Sequence, residues 1–426
     1  MFGKKVELVA WLQNPEKNWG AEDSASCGAR VCREKLSSDR IHDAKIKRTD
    51  YENRKENIFK ETSGRGHGAV LDQSAFLFSI DNLTRASTLF LCEPEYASHL
   101  QQSLRVATAE RGFYLPPNLD SEAERLMKKQ FRLYETMQNN EIPPEDARFI
   151  LPLYTKTTIQ SLWDSRELMH LDSMSQRAGV PSEVRETVQQ MMNLTREIAP
   201  HLMKNRETNY EILSWFPSSQ LFAKENKTIE NLISTHSDFA FLCYSGIDMS
   251  EESIKKAVEK RNEAELANLK HFHFTFIAPM SLACFHQATR QRTWNQSVQS
   301  LESAVRKGGY IIPPKISKSK FRGEYKDLNE ESFSFVRNYL NDPEFLGVLP
   351  HSLVVHDLIH INGWNAIHSI GKRTCTEAQW EIRKIATKIS IKIKEIVPGL
   401  GKYSVPQGIL YGKCPEKNSC GKCNEK

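Results

Sequence analysis

A chain of 426 residues is long enough for two to three domains that each bury a core. With 39% hydrophobic and 26% charged residues it has the composition of an ordinary soluble globular protein, and no apolar run approaches the roughly 20 residues of a membrane span. Its formal charge of +5 comes from 58 cations and 53 anions spread along the chain, which excludes a concentrated basic arm and suits a small anionic ligand as well as nucleic acid.

The first element is the stretch VELVAWL at 6–12, which reads as an opening strand. Its apolar run is too short, and lacks the small-residue cleavage site, for a secretion signal. The nine cysteines are an odd number and mostly scattered, which is reduced-thiol usage, so the expected location is cytoplasmic. A polar stretch follows over 17–65. Its later part, Lys45 to Arg65, has few apolar anchors and reads as a solvated loop or an exposed helix. A strand comes next (SAFLFSI, 74–80), then the polar stretch CEPEYASHLQQSLR at 92–105. The sequence SEAERLMKKQFRLYETMQ carries apolar residues at helical spacing, and FILPL closes the series at 149–153.

After that the pattern starts again. YEILSWF at 210–216 resembles the opening strand, and FHFTFIA at 272–278 resembles SAFLFSI, with Phe274 lying 198 residues after Phe76. Tyr114 and Ile311 open matching double-proline segments 197 apart. Pro152 and Pro350, and His170 and His368, are again separated by 198. An offset held within one residue over so long a stretch marks a tandem duplication. The expected division is a first repeat over 1–205, a second over 206–412 and a cysteine-containing tail over 413–426. The fold class is α/β or α+β, each repeat a mixed sheet flanked by helices, and AQWEIRKIATKISIKIKEIV supplies a late amphipathic helix.

Three local motifs need weighing. HDLIH (His356 to His360) is a near miss of the helical zinc-protease pattern, but Asp357 is a methylene short of the glutamate base and the β-branched flanks indicate a strand. Cys414, Cys420 and Cys423 form a cluster of three thiols without a fourth ligand nearby, so the tail is read as solvated and no metal is assigned. Arg290 and Arg292 would share one side of an extended segment and could flank an anion or a flat ring.

The two repeats together resemble the flavin-dependent thymidylate synthases. The family signature Arg-His-Arg-x-x-Ser-x-(Asn/Gln)-(Glu/Gln)-x-Ser-x-Arg survives in complementary halves. The first repeat has Glu93-Pro94-Glu95 at the front but keeps Ser98, Gln101, Ser103 and Arg105; the second keeps Gln287, Arg290, Gln291 and Arg292 at the front but ends on Glu302. The arginine of the Asp-Ala-Arg segment is Arg148 in the first repeat and Leu346 in the second, whereas Arg373 of the second faces Ser175 of the first. The resemblance implies reductive methylation of dUMP to dTMP, with FAD as cofactor and methylene-tetrahydrofolate and NAD(P)H as co-substrates. It implies that Ser103 and Arg105 hold the phosphate, that Arg148 and Arg373 contact the uracil edge, and that Gln101, Gln287 and Arg290 also bind the nucleotide. Arg373 is then the catalytic cation beside the polarised uracil. Arg290, Gln291, Arg292, Asn362, His368 and Arg166 fall on the flavin side. Because a family member is a homotetramer of chains half this length, a homodimer of the tandem chain is expected, with two complete and two dead sites, the glutamates at 93 and 95 belonging to a dead one. No nucleic-acid or membrane partner is implied. Gln291 stands where the family has histidine and Trp364 where it usually has arginine. Another pyrimidine nucleotide, or a non-catalytic nucleotide-binding descendant, are the alternative functions.

Overall fold

The computed structural model describes residues 4–204, 216–417, 419–421 and 423. They form two compact units: residues 1–218 with 334–350, and 219–333 with 351–426.

The first unit is built on a four-stranded sheet of β1 (Lys5–Trp11), β2 (Phe76–Thr84), β3 (Ser98–Gln101) and β4 (Lys156–Trp163), in the order β1-β2-β4-β3. Phe76, Phe78 and Ile80 alternate inward and are almost fully buried. Helix Ser121–Asn139 is capped by Asp120, whose side chain accepts from the Ala123 amide. It buries Leu126, Met127, Leu133, Tyr134 and Met137, the stripe that its apolar spacing predicts. Residues 334–350 complete this unit. The amides of Leu153 and Tyr154 donate to Leu349 O and Gly347 O, both at 2.9 Å. A Cβ at Gly347 would stand 2.1 Å from the Tyr154 ring, so only glycine permits that approach.

The second unit repeats the plan with β5 (Ala240–Ser245), β6 (His273–Ser281), β7 (Asn295–Val298) and β8 (Val354–Asn362), in the order β5-β6-β8-β7. Helix Trp380–Ile396 turns Ile382, Ile385, Ile389 and Ile393 into its core. The α+β class holds, and HDLIH lies on a strand as its β-branched flanks indicate. Every pairing among the described strands is antiparallel, so the mixed-sheet detail is corrected.

Register explains the one-residue slip in the repeat offset. Phe76 pairs with Trp163 and Phe274 with Ile361, both members shifted by 198. Between Asp81 and Leu83 the first sheet slips register around Asn82, which sits at φ 56°, and the second sheet has no counterpart there. One bulge residue therefore reduces the offset to 197 through the motif that follows.

Two sequence expectations change. YEILSWF lies, apart from Phe216, outside the described residues, and the strand in the β1 position of the second sheet is Ala240–Ser245. The stretch 45–65 is neither loop nor wholly exposed: helix Tyr51–Glu61 buries Tyr51, Lys55 and Phe59. Tyr51 Oη donates to Asp23, and Lys55 reaches Glu22 at 3.7 Å, so buried polar partners supply what hydrophobicity does not. Among the described residues no helix is long and apolar enough to cross a membrane.

Candidate active site

In the first unit the Ser103–Arg105 loop follows β3 directly. The Arg105 amide donates to Ser103 Oγ at 3.2 Å, and Ser103 O accepts from the amides of Val106 and Ala107, which folds the loop into a tight turn. Arg105 Nε donates to Glu145 Oε1 at 2.5 Å, and Glu145 O accepts from Arg148 Nε at 3.2 Å. Glu145 thus ties the two arginines to one point. A third arginine joins them. Arg85 opens helix Arg85–Leu91, is buried, and donates from Nη2 to Gln102 O at 2.8 Å, while its Nε has no hydrogen-bond partner. Burial and then the neighbouring Arg148 cation push the Arg85 guanidinium down to about 9. Two cations set close together at low dielectric favour an anion between or beside them. A cavity of about 750 Å³ opens beside this loop, with Gln102, Thr108, Arg111 and Lys156 in its wall.

Helix Arg85–Leu91 is held from below. Thr84 caps it, accepting from the Ser87 amide, and the hydroxyls of Thr84 and Ser87 donate to Glu183 Oε2 at 2.7 and 2.5 Å. The second unit repeats the device: Ser281 caps helix Leu282–Ala288 and donates from its amide and hydroxyl to Glu381 at 2.8 and 2.5 Å. The glutamate of the Gln-Trp-Glu-Ile segment is therefore a positioning residue. Glu381→Ala strips these two donors of their acceptor and is expected to reduce stability by about 2 kcal/mol, seen as a fall in the unfolding temperature.

Helix Leu282–Ala288 carries half-buried Gln287 and ends in a turn that bears Arg290, Gln291 and Arg292. The segment is a turn and not extended as expected, because the Gln291 amide bonds back to Ala288 O and the Trp294 amide to Gln291 O. Both arginines are exposed there. With its amide oriented to present oxygen, Gln291 accepts from Arg373 Nη2 at 2.5 Å and Nε at 3.1 Å. Trp294 Nε1 donates to Ser369 Oγ at 2.6 Å, and Asn365 Nδ2 to Thr293 Oγ1 at 2.7 Å. The turn is thereby fastened to the helical stretch 363–373, which contains a π-turn at Ala366–Ile370, a distortion frequent at functional sites. Asn362 caps that stretch, its Oδ1 accepting from the Asn365 amide, and exposed His368 stacks on Trp364 with ring centroids 5.8 Å apart.

The first unit's counterpart of this arrangement is acidic. Glu93 and Glu95 occupy the places of Arg290 and Arg292; Glu93 is buried, and burial raises the Glu95 carboxyl. Asp164 and Glu167, counterparts of Asn362 and Asn365, are pushed by burial up to about 6 and about 8, and burial pushes His170 down to about 4. Arg166 lies in this surrounding, 3.3 Å from Asp72, with the Phe216 ring centroid 4.2 Å from its guanidinium carbon.

The family model described as thymidylate synthase complementing protein matches residues 16–201 and again 225–399. The chain belongs to this family. A flavin-dependent thymidylate synthase of Clostridium tetani is 28% identical over 218 residues, spanning 44% of this chain and 87% of that protein. One of Geobacter sulfurreducens is 29% identical over 204 residues, spanning 44% and 88%. A solved structure of a UMP/dUMP methylase, PolB, from Streptomyces cacaoi with bound 5-Br dUMP covers 50% of this chain and 98% of its own, at 16% identity and TM-score 0.38. Two matched regions, and relatives that cover less than half of the chain while being nearly covered themselves, are what a tandem member of the thymidylate synthase complementing family produces.

Placed on this frame, the residues expected from the family motif fall into two groups. Gln101, at the end of β3, Ser103, Arg105 and Arg148 belong to the first unit. Gln287, Arg290, Gln291, Arg292, Asn362, His368 and Arg373 belong to the second. Arg166 stands among the first unit's carboxylates. Arg85 was missed. Its position in the second repeat is Leu282, the same complementary loss seen at the other arginines, and that signal was available in the sequence.

Proposed function

We propose that the chain is a flavin-dependent thymidylate synthase that methylates dUMP to dTMP, the two repeats contributing complementary halves of the residue set and the chain working as a homodimer. The observation that carries this is the arginine arrangement: Arg85, Arg105 and Arg148 gathered around the Ser103 loop in one repeat, Arg373 fixed by Gln291 in the other. Relatives with the flavin-dependent name, at 28% and 29% identity, support it.

In this reading Ser103 and Arg105 bind the nucleotide phosphate, with Gln101 beside them. Arg105 then exchanges its bond to Glu145 for charge-assisted bonds to phosphate oxygens. Arg148 and Arg373 contact the uracil edge with Gln287 and Arg290. Arg373, held in orientation by Gln291, is the cation that favours the anionic pyrimidine. The second repeat's surface fits a flat, carbonyl-rich ring. Arg290 and Arg292 offer exposed guanidinia, Gln291 and Asn362 amides, and His368 a ring face backed by Trp364. These residues would hold FAD, which supplies the hydride when reduced by NADPH, methylene-tetrahydrofolate being the carbon donor.

The test is the absorbance of the purified protein incubated with FAD and then, without oxygen, with NADPH. The flavin should bleach, and should reoxidise only when dUMP and methylene-tetrahydrofolate are both present. Flavin that bleaches but ignores dUMP would shift the assignment to another pyrimidine nucleotide, which Gln291 and Trp364 in the ring-side positions would then explain. A protein that takes up no flavin would overturn the proposal.

A further inference from the structure

The cysteine tail gains in three dimensions the ligand it lacks in sequence. The unit that holds Cys414, Cys420 and Cys423 also holds a fourth thiol earlier in the chain, Cys375. Cys423 is buried, at 7% exposure, and lies within hydrogen-bond reach of Cys414, with Cys420 and Cys375 as its other thiol neighbours. Two glycines shape this gathering. A Cβ on Gly408 would stand 2.6 Å from both Cβ and Sγ of Cys423 and 3.2 Å from Cys414 Cα, so the tail closes onto helix Gln407–Tyr411 only because residue 408 has no side chain. Gly421, inside the Cys-Gly-Lys-Cys step, sits at φ 78°, a left-handed conformation that glycine adopts without strain.

All nine cysteines are free thiols. A dication takes such thiols as thiolate ligands and releases their protons. Soft sulfur donors in fours select zinc over magnesium or calcium. Among the described residues the group whose ligand atoms already lie within 4.8 Å of one another is Glu22, Glu52 and His201, but Lys55 reaches Glu52 at 2.8 Å and Glu22 at 3.7 Å and fills the cation's role there. No three of the four sulfurs are gathered that closely, so an ion would have to draw them in.

We propose that Cys375, Cys414, Cys420 and Cys423 bind one zinc ion as a structural tetrathiolate centre. Its position gives it a purpose. Cys375 lies two residues beyond Arg373, and Gly371, just before that arginine, is packed so closely on the segment ahead of the tail that a Cβ there would lie 2.5 Å from Val405 O. The ion fastens the C-terminal segment to the stretch that carries Arg373. That consequence rests on the proposed role of Arg373; the metal site itself does not.

The test is elemental analysis of the full chain purified without chelator, with cobalt(II) substitution as the geometric probe. About one zinc per chain is expected, as for a closed structural site, and the cobalt form should show thiolate charge transfer with tetrahedral visible bands. Cys375→Ser and Cys420→Ser should each lose the zinc, while Cys32→Ser, an exposed cysteine of the other unit, should retain it. Cys420 is exposed, so its variant keeps the fold and reports on the ion alone. Failure of the wild-type chain to take up zinc or cobalt would overturn the proposal, as would zinc retained in both variants or a disulfide joining these cysteines in the metal-free protein. Loss of zinc without any change in nucleotide turnover would remove only the link to Arg373.

Discussion

Arg105→Ala and Arg373→Ala should each reduce thymidylate synthesis to a small residue of the wild-type rate, and for different reasons. Removing Arg105 deletes charge-assisted bonds to the phosphate worth about 1.5–3 kcal/mol each, so its effect falls mainly on KM for dUMP, roughly a 10- to 100-fold rise. Removing Arg373 deletes a cation needed where charge develops, so kcat falls by about 10²–10³. Glu302→Ala, at the place where the second repeat has lost its closing arginine, serves as control and should stay within a few-fold of wild type. Glu302 is engaged with Arg306 on the surface and belongs to no proposed contact with the nucleotide. Because each variant keeps the group the other lacks, mixing the two under conditions of subunit exchange should recover part of the rate if each site of the dimer takes its two halves from different chains. Full activity retained in either single variant would refute the division of labour between the repeats.

Most of the architecture was legible because the sequence is its own alignment. Two strands as apolar as SAFLFSI and FHFTFIA cannot both be chance at an offset that Trp163 and Ile361 then repeat in the pairing register. The one-residue slip to 197 had no assigned cause in the sequence. Only the backbone shows that it is a bulge at Asn82, since a single extra residue with positive φ leaves no compositional trace. The edge strand Ala240–Ser245 escaped notice for a physical reason: none of its residues is fully buried, so its sequence AFLCYS is under no pressure to alternate. Helix Tyr51–Glu61 was hidden because Tyr51 and Lys55 are buried by ion pairs and hydrogen bonds to Asp23 and Glu22, contacts between segments that no local periodicity records.

The site was half legible in the same sense. Residues that belong to a linear motif, such as Ser103, Arg105, Arg290 and Arg292, could be named in advance. Those that act through the fold could not. Glu145 is recognisable as a partner of Arg105 only once the loop and the short helix before Arg148 meet, and Arg85 gains meaning only beside Arg148. The closure of Cys414 and Cys423 onto Gly408 is the same case, a contact that no local spacing records.

Asp357→Asn should stabilise the protein, and by more as the pH rises. Asp357 replaces, in the core of the second sheet, what is Ile159 in the first. It is fully enclosed, with Oδ2 accepting from Gln296 Nε2 at 2.5 Å and Oδ1 without a hydrogen-bond partner. Burial raises its carboxyl to about 7, against which the Gln296 bond works in the opposite direction. A carboxyl with a folded pKa above its unfolded value of 3.8 binds more protons in the native state, so its contribution is fully present below 3.8, declines as the pH rises from there, and is lost once the pH has passed through about 7. At about 1.4 kcal/mol per pH unit the decline amounts to a few kcal/mol, with about 4 as the ceiling. Asparagine keeps the hydrogen-bonding shape of the neutral acid but cannot ionise. The unfolding temperatures of wild type and Asp357→Asn should therefore nearly coincide around pH 4, separate as the pH rises toward about 7, and hold a constant gap only above it. Subtracting the two curves also removes the parallel titrations of Asp164 and Glu167, whose carboxyls burial raises in the first unit. A gap that is constant with pH would mean that Asp357 is neutral throughout or that water reaches it.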